Sequence, residues 1–293
     1  MSFMYLNTVE DLSNDEIYSI VEKCSNNYQS FENLTFKNKL NKKVALVFME
    51  PSSRTKLSFI SACQKINRKY LELERESSSL AKGESLFDTV FLLKQYDVGT
   101  LVLRSSKQFL SKEEATDIGI NYINAGLGIN SHPTQVLLDL SLLCLKYKGI
   151  ENLKNKNILV YGDIKHSRVA MSWFRVTKKL DLNIAFSGPS DFKPEWVDDA
   201  LWVEECNFKD FDIVYSLRIQ QERFSSNSSN DQEYIQKYQV SSSKLSSSQF
   251  LMHPGPVVWG LELCEDLKNY SNSLILEQIK MGYVLRTFLL ANY

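Results

Sequence analysis

The side chains best suited to chemistry are arginines standing where a strand gives way to a turn. Glu50-Pro-Ser-Ser-Arg-Thr55 follows the apolar run that ends at Phe48 and comes directly before a helical pattern. Hydroxyls and backbone N–H groups at a helix start, beside one guanidinium, suit a phosphate or a similar anion. Ser52 and Ser53 also read as plain N-caps. Arg54 argues for an anion, because a cation at a helix N-terminus is unfavourable unless a negative group lies between. Arg104 ends the apolar segment Thr100-Leu-Val-Leu103, where a guanidinium is costly without an anionic or carbonyl partner. Arg168 stands at a helix start after Gly162-Asp-Ile-Lys-His-Ser167, and Arg218 and Gln220 follow the strand that ends at Tyr215.

Asn124-Ala-Gly-Leu-Gly-Ile-Asn-Ser-His-Pro-Thr-Gln135 puts His132 and Gln135 at another helix start. A histidine before a proline is commonly structural, yet this spacing sets an imidazole and an amide on one side. Ser77-Ser-Ser-Leu-Ala-Lys-Gly-Glu84, taken alone, reads as a solvated loop, and Glu222 with Arg223 as surface charge. His253-Pro-Gly-Pro256 is a rigid turn whose prolines fix where its carbonyls point. The turn after Tyr161 lacks G-x-G-x-x-G, which disfavours a dinucleotide. No serine-histidine-acid set, metal cluster or carboxylate dyad emerges, so no metal or organic cofactor is expected. Four anion-seeking arginines imply polyanionic small molecules and catalysis by positioning and electrostatics.

The elements that must hold these residues alternate between strand and helix. Strands are expected at Val44–Phe48, Thr100–Leu103, Tyr122–Ile123, Asn157–Tyr161, Asn183–Phe186 and Phe211–Tyr215. Helical spacing covers Lys56–Arg68 (Leu57, Ile60, Cys63, Ile66), a run through Val136, Leu137, Leu140 and Leu143, then Val169–Leu180 and Leu274–Leu290. Such alternation means an α/β fold of two parallel-sheet αβα domains joined by linking helices. Residues 1–145 with a C-terminal helix of about 274–293 form one domain, and 146–273 the other. A Lys/Asn/Gly-rich linker is expected at Lys146–Asn155, and a Ser/Asn-rich surface loop at 225–249. Ligands of open α/β sheets sit beyond the carboxyl ends of the strands, so the informative residues should follow the strands, and the substrate site is expected in the interdomain cleft.

Composition narrows the classes of partner. Lysine and arginine total 34 against 35 acidic residues, so no overall field draws in nucleic acid or an anionic membrane. The N-terminal segment lacks a basic stretch followed by an apolar run, and no apolar stretch approaches a membrane span. Five scattered cysteines and only three histidines suggest reduced thiols in a cytoplasmic protein without a zinc site.

Taken in order, the motifs resemble the aspartate/ornithine carbamoyltransferase family over nearly the whole chain. Ser52-Ser-Arg-Thr55 is similar to its S-T-R-T phosphate motif, Lys82-Gly-Glu84 to its K-G-E loop, and His132-Pro-Thr-Gln135 to H-P-x-Q. Arg218-x-Gln220 and His253-Pro-Gly-Pro256 resemble the aspartate branch; the H-C-L-P turn of the ornithine branch is not visible. The resemblance implies transfer of a carbamoyl group from carbamoyl phosphate to L-aspartate, a step of pyrimidine biosynthesis. It implies that Ser52, Ser53, Arg54 and Thr55 hold the phosphate, and that Thr55, Arg104 and His132 face the carbonyl oxygen. Gln135 and the carbonyls of Pro254 and Gly255 would fix the carbamoyl NH2, and Arg168, Arg218 and Gln220 the aspartate carboxylates. Ser79 and Lys82 would reach in from a neighbouring subunit of a homotrimer, with Lys82 also meeting aspartate. Glu50 would brace Arg168 and Arg223 on domain closure. A regulatory chain is possible by the same analogy, but no surface can be assigned to it.

The chain departs from the family at Ser53 (usually Thr), Ser105 (commonly His), Leu127 (Asp in N-A-G-D-G), Ser131 (Gln) and Val258-Trp259 (often Asn-Arg). Leu127 and Trp259 each remove a charge close to the site. Two alternatives follow: a carbamoyltransferase for another amine, and a binding or scaffold member of the family.

Overall fold

The computed structural model describes residues 3–36, 40–74, 83–107, 109–220 and 229–293, the last without the side chains of 229–231. The chain divides into two compact units, Met1–Lys146 with Ile279–Tyr293, and Tyr147–Gln278.

The first unit runs β1 (Tyr5–Leu6), α1 (Asn14–Asn27), β2 (Lys43–Phe48), α2 (Ser53–Lys65), β3 (Tyr70–Glu74), α3 (Leu86–Gln95), β4 (Val98–Ser105), α4 (Lys112–Ile118), β5 (Asn121–Leu127) and α5 (Pro133–Tyr147). Its sheet has the order β1-β5-β4-β2-β3, and every pairing is parallel. Parallel neighbours need crossovers, which is why helices alternate with the strands. β2 is buried along Val44–Phe48, as an apolar run covered on both faces must be. Ala45, Val47, Leu101 and Leu103 pack with Leu86, Val90 and Leu93 of α3 and Ala115 of α4. The alternate residues, such as Val44, Leu46 and Val102, turn to the opposite face.

The second unit carries α6 (Ile150–Lys154), β6 (Ile158–Tyr161), α7 (Arg168–Leu180), β7 (Ile184–Ser187), β8 (Ile213–Ser216), α8 (Ser229–Tyr238) and β9 (Phe250–Met252). Its sheet order is β7-β6-β8-β9, again parallel throughout. Leu159, Val214 and Leu251 form one side of its core with Val240, Leu263 and Leu267. On the other side the fully buried Trp173 of α7 meets Tyr215, with ring centroids 5.6 Å apart. The last helix, α9 (Ile275–Asn292), begins in the second unit and ends in the first.

Three local expectations are corrected. In α2 the buried face is Thr55, Phe59, Ala62 and Cys63, while Leu57 is 61% exposed. Steps of three residues drift around a helix; the i, i+4, i+7, i+8 positions stay on one face. The stretch 146–155 holds the end of α5 and all of α6, with only Lys148 and Gly149 turning between them at positive φ. The Ser/Asn-rich stretch expected as a loop contains α8, whose Tyr234 packs with Ile219 and Leu261. Serine-rich composition masked a helix that its aromatic residues hold down.

The end of α9 is fastened by a buried cation. Arg68, 4% exposed, donates from Nη1 to the carbonyls of Leu290 and Tyr293 at 2.8 and 2.6 Å. Its Nε donates to Lys42 O at 2.9 Å and its Nη2 to Thr100 Oγ1 at 2.8 Å. A guanidinium at a helix C-terminus satisfies orphan carbonyls and complements the dipole. Arg68→Met leaves those carbonyls buried without donors and is expected to cost about 2–4 kcal/mol, read as a lower urea midpoint.

Candidate active site

Each sheet reverses its strand order once, and such a reversal opens a crevice beyond the strands' carboxyl ends. In the first unit β2 leads to β3 on one side, and the chain then returns to β4 on the other. In the second, β6 lies between β7 and β8 in the same way. The sequence-derived candidates collect at these two places.

At the end of β2, Met49 N donates to Arg104 O at 2.8 Å, which holds the segment leaving β2 beside the end of β4. Ser52 is the N-cap of α2 but makes no side-chain capping bond, and the first turn contains no acidic residue. The reading of Ser52 as an ordinary N-cap therefore does not hold. α1, α3, α4 and α7 are capped by the side chains of Ser13, Ser85, Ser111 and Ser167. Around the start of α2 stand exposed Ser53 and Arg54 and the buried Thr55. Uncapped amide N–H groups, a positive dipole end and a cation make an anion seat. Arg104 is half-buried, with Nε 3.8 Å from Glu50 Oε2 and Nη1 donating to Ala125 O at 3.5 Å. Glu50 and Arg104 thus face one another within this unit.

The strand β5 delivers His132 and Gln135 through a braced loop. Asn124 donates from Nδ2 to Asn7 O and Ser131 Oγ, both at 2.7 Å, and accepts from Gly126 N at 2.7 Å. Gly128 sits at φ +47°, and a Cβ there would lie 2.4 Å from Ser106 O, so only glycine fits. Leu127 is buried and bridges to Ser131. In this chain the position packs rather than carries charge. Pro133 then begins α5, a place where its missing N–H costs nothing. His132 is 5% exposed, and Gln135 donates from Nε2 to the buried Asp139 carboxylate at 3.2 and 3.4 Å. A carboxylate only accepts, so it orients the Gln135 amide and leaves Oε1 as the acceptor for an outside N–H.

In the second unit one buried carboxylate arranges the candidates. Asp163, fully buried, accepts at Oδ1 from His166 N (3.2 Å) and pairs with His166 Nδ1 (2.8 Å). Its Oδ2 accepts from Gln220 N at 3.1 Å, while Gln220 Nε2 donates to His166 O at 2.6 Å. The β6 and β8 turns are thereby tied together, with Arg168 as the first residue of α7 and Arg218 two residues from Gln220. Gly162 permits the approach: a Cβ on it would lie 2.9 Å from Leu217 O. As in α2, the first turn of α7 has no acidic residue to offset its arginine.

The turn at His253 is fixed by residues that sequence reasoning missed. Gly255 N donates to His253 Nδ1 at 2.9 Å, so the ring proton is on Nε2, which faces Glu262 Oε1 at 3.4 Å. Glu262 also accepts from Val258 N at 2.6 Å, and Gln278 accepts from His253 N at 2.9 Å. Pro254 and Gly255 are half-buried in this braced turn. Trp259, half-buried, packs against the core of the second unit, with Lys268 Nζ 5.5 Å from its ring centroid. Ser79, Lys82 and Arg223 lie outside the described residues. Asp139 and Glu262 gave no signal in sequence beyond being acids between leucines, and Asp163 and Gln278 stand among other polar residues. Asp163→Ala unties both turns and leaves their buried donors unpaired; it is expected to cost about 1–3 kcal/mol, read as a lower urea midpoint.

Comparison with known proteins agrees across both units. The family model described as the carbamoyl-P binding domain of aspartate/ornithine carbamoyltransferase matches residues 5–144, and the Asp/Orn binding domain of the same family matches 154–292. The aspartate carbamoyltransferase catalytic subunit of Staphylococcus carnosus is 36% identical over 287 residues, covering 95% of this chain and 91% of that protein. The catalytic subunit of M. jannaschii aspartate transcarbamoylase superposes with a TM-score of 0.82 at 26% identity, over 100% of this chain and 97% of that one. Aspartate transcarbamoylase from Trypanosoma cruzi in complex with carbamoyl phosphate gives 0.80 at 25% identity, over 98% and 95%. With the two family domains matched in order along nearly its whole length, the chain belongs to the aspartate/ornithine carbamoyltransferase family.

Proposed function

We propose that the chain transfers the carbamoyl group of carbamoyl phosphate to the amine of L-aspartate, giving N-carbamoyl-L-aspartate and phosphate in pyrimidine biosynthesis. The observation that carries this reading is the uncapped, arginine-bearing start of α2 at the β2/β4 reversal, in the unit that also presents His132 and Gln135. Residues 1–145 with the helix of about 274–293 take carbamoyl phosphate, and 146–273 take aspartate. Ser52, Ser53, Arg54 and Thr55 receive the phosphate. Thr55, Arg104 and His132 face the carbonyl oxygen, while Gln135 Oε1 and the carbonyls of Pro254 and Gly255 accept from the carbamoyl NH2. Arg168, Arg218, Gln220 and Lys82 meet the two carboxylates of aspartate.

The amine lone pair attacks the carbonyl carbon, and negative charge grows on the carbonyl oxygen. Preorganised donors stabilise that charge more than they stabilise the ground state. The carbon–oxygen bond to phosphate then breaks, and the departing phosphate takes the proton released by the amine. The amino-acid site is cationic at Arg168 and Arg218, which suits a dicarboxylate better than a diamine.

A homotrimer with shared sites fits one surface feature. α3 exposes Phe87, Phe91 and Leu92, with exposed Tyr96 just past its end, and apolar surface of this kind marks an interaction face. Ser79 and Lys82 precede that helix in sequence, so a second copy docked there would receive them close by. No helix among the described residues is long and apolar enough to cross a membrane. The five cysteines are free thiols, three of them buried, in keeping with a cytoplasmic setting.

Purified protein supplied with carbamoyl phosphate and L-aspartate is expected to form carbamoyl aspartate; L-ornithine in parallel should give no product. Product from ornithine alone overturns the assignment of the amine. Arg54→Ala is expected to lower kcat/KM for carbamoyl phosphate by roughly 10²–10³-fold, the usual loss for one charged donor at such a site. Arg218→Ala should act mainly through the aspartate KM. Wild-type kinetics in both variants would sink the site assignment.

A further inference from the structure

His132 has a buried support that reaches it from the last helix. Arg286 on α9 is 4% exposed and donates from Nη1 to Ser58 Oγ at 2.8 Å. That hydroxyl donates in turn to Thr55 O at 2.7 Å, within the first turn of α2. Nη2 of the same guanidinium donates to Thr134 Oγ1 at 3.3 Å, and Thr134 Oγ1 lies 3.4 Å from His132 Nδ1. The guanidinium rests over the Phe59 ring, 5.2 Å from its centroid. Gly282, one turn earlier on α9, makes the space: a Cβ there would lie 2.7 Å from Nη1.

The direction of each hydrogen bond follows from what the groups can do. A guanidinium has donors only, so the Thr134 oxygen accepts from Arg286. Thr134 is fully buried, and its hydroxyl proton has one acceptor among the described residues, His132 Nδ1. If Nδ1 carried the ring proton, that hydroxyl hydrogen would be buried against two donors. Nδ1 is therefore the lone-pair nitrogen and Nε2 bears the hydrogen. We infer that Arg286, acting through Thr134, is a positioning residue that holds His132 as the Nε2–H tautomer, so that the ring offers a hydrogen-bond donor to the substrate carbonyl. The inference rests on the carbonyl-facing role given to His132 above.

Burial pushes the Arg286 guanidinium down to about 9, while the nearby Asp139 carboxylate opposes the drop and Arg104 adds to it. Arg286 thus stays cationic at neutral pH. Arg286 also braces α2 through Ser58, so one side chain sets both the phosphate helix and the imidazole.

The test is nitrogen NMR of the full-length protein with 15N-labelled imidazoles, His132 being assigned by the loss of its signals in His132→Gln. The wild type is expected to show a hydrogen on His132 Nε2 and a lone-pair signal at Nδ1. Thr134→Val keeps the shape without the hydroxyl; it should shift His132 towards the Nδ1–H form. Its kcat should fall roughly 10-fold, part of the 10²–10³ that loss of a whole oxyanion donor costs, with the aspartate KM within about twofold of wild type. Thr134→Ser should restore both readouts, which a loss of packing alone would not explain. A wild-type His132 protonated at Nδ1, or a tautomer unchanged in Thr134→Val, overturns the inference. If the wild type makes no carbamoyl aspartate, the proposed reaction fails, and the spectra still decide the tautomer by the same two outcomes.

Discussion

A charged group taken out of water needs a partner whose direction is already set, and this chain meets that demand with buried carboxylates and arginines beneath its turns. Asp163 receives two backbone N–H groups and an imidazole. Asp139 receives the Gln135 amide, and Glu262 receives Val258 N beside the His253 ring, 3.4 Å away. In each case a buried acid fixes the side chain or turn that a small molecule would meet. The outward-facing groups are thereby held in place before any ligand arrives, and less reorganisation is left for the reaction itself.

The sheets supply the coarse placement on which these fine adjustments act. Their order reverses beside β2 and β4 in one unit and beside β6 and β8 in the other. Both reversals bring an arginine-bearing helix start next to a second turn from the neighbouring strand. The glycines at 128 and 162 then let backbone approach backbone where a side chain would not fit. Specific chemistry is thus confined to a few short turns, while the strands and helices carry ordinary packing.

How much could be seen in the sequence follows the range of the interactions involved. Val44–Phe48, Thr100–Leu103 and Asn157–Tyr161 were legible because a strand covered on both faces is apolar at every position. The chemical residues were legible because they follow those strands directly. β3 was not, since Tyr70-Leu-Glu-Leu-Glu74 alternates at an edge and its glutamates pair with Lys56. Arg286 and Asp139 were hidden for another reason. Each reads as a polar residue in an apolar stretch; the meaning of Asp139 lies in a buried amide one turn away, and that of Arg286 in Ser58, more than two hundred positions distant. The face of α2 was misjudged because a three-residue step was taken for the helical repeat.

Arg68 grips the carbonyls of Leu290 and Tyr293, and the first unit is completed only by the residues from Ile279 onwards. During synthesis the first 146 residues leave the ribosome long before the segment that closes their core. The second unit is made in between, from one continuous stretch of chain. The first must wait with an apolar groove open, at a stage when chains are exposed to aggregation and to chaperones. Loss of the α9 residues that Arg68 grips would therefore injure the unit that is made first.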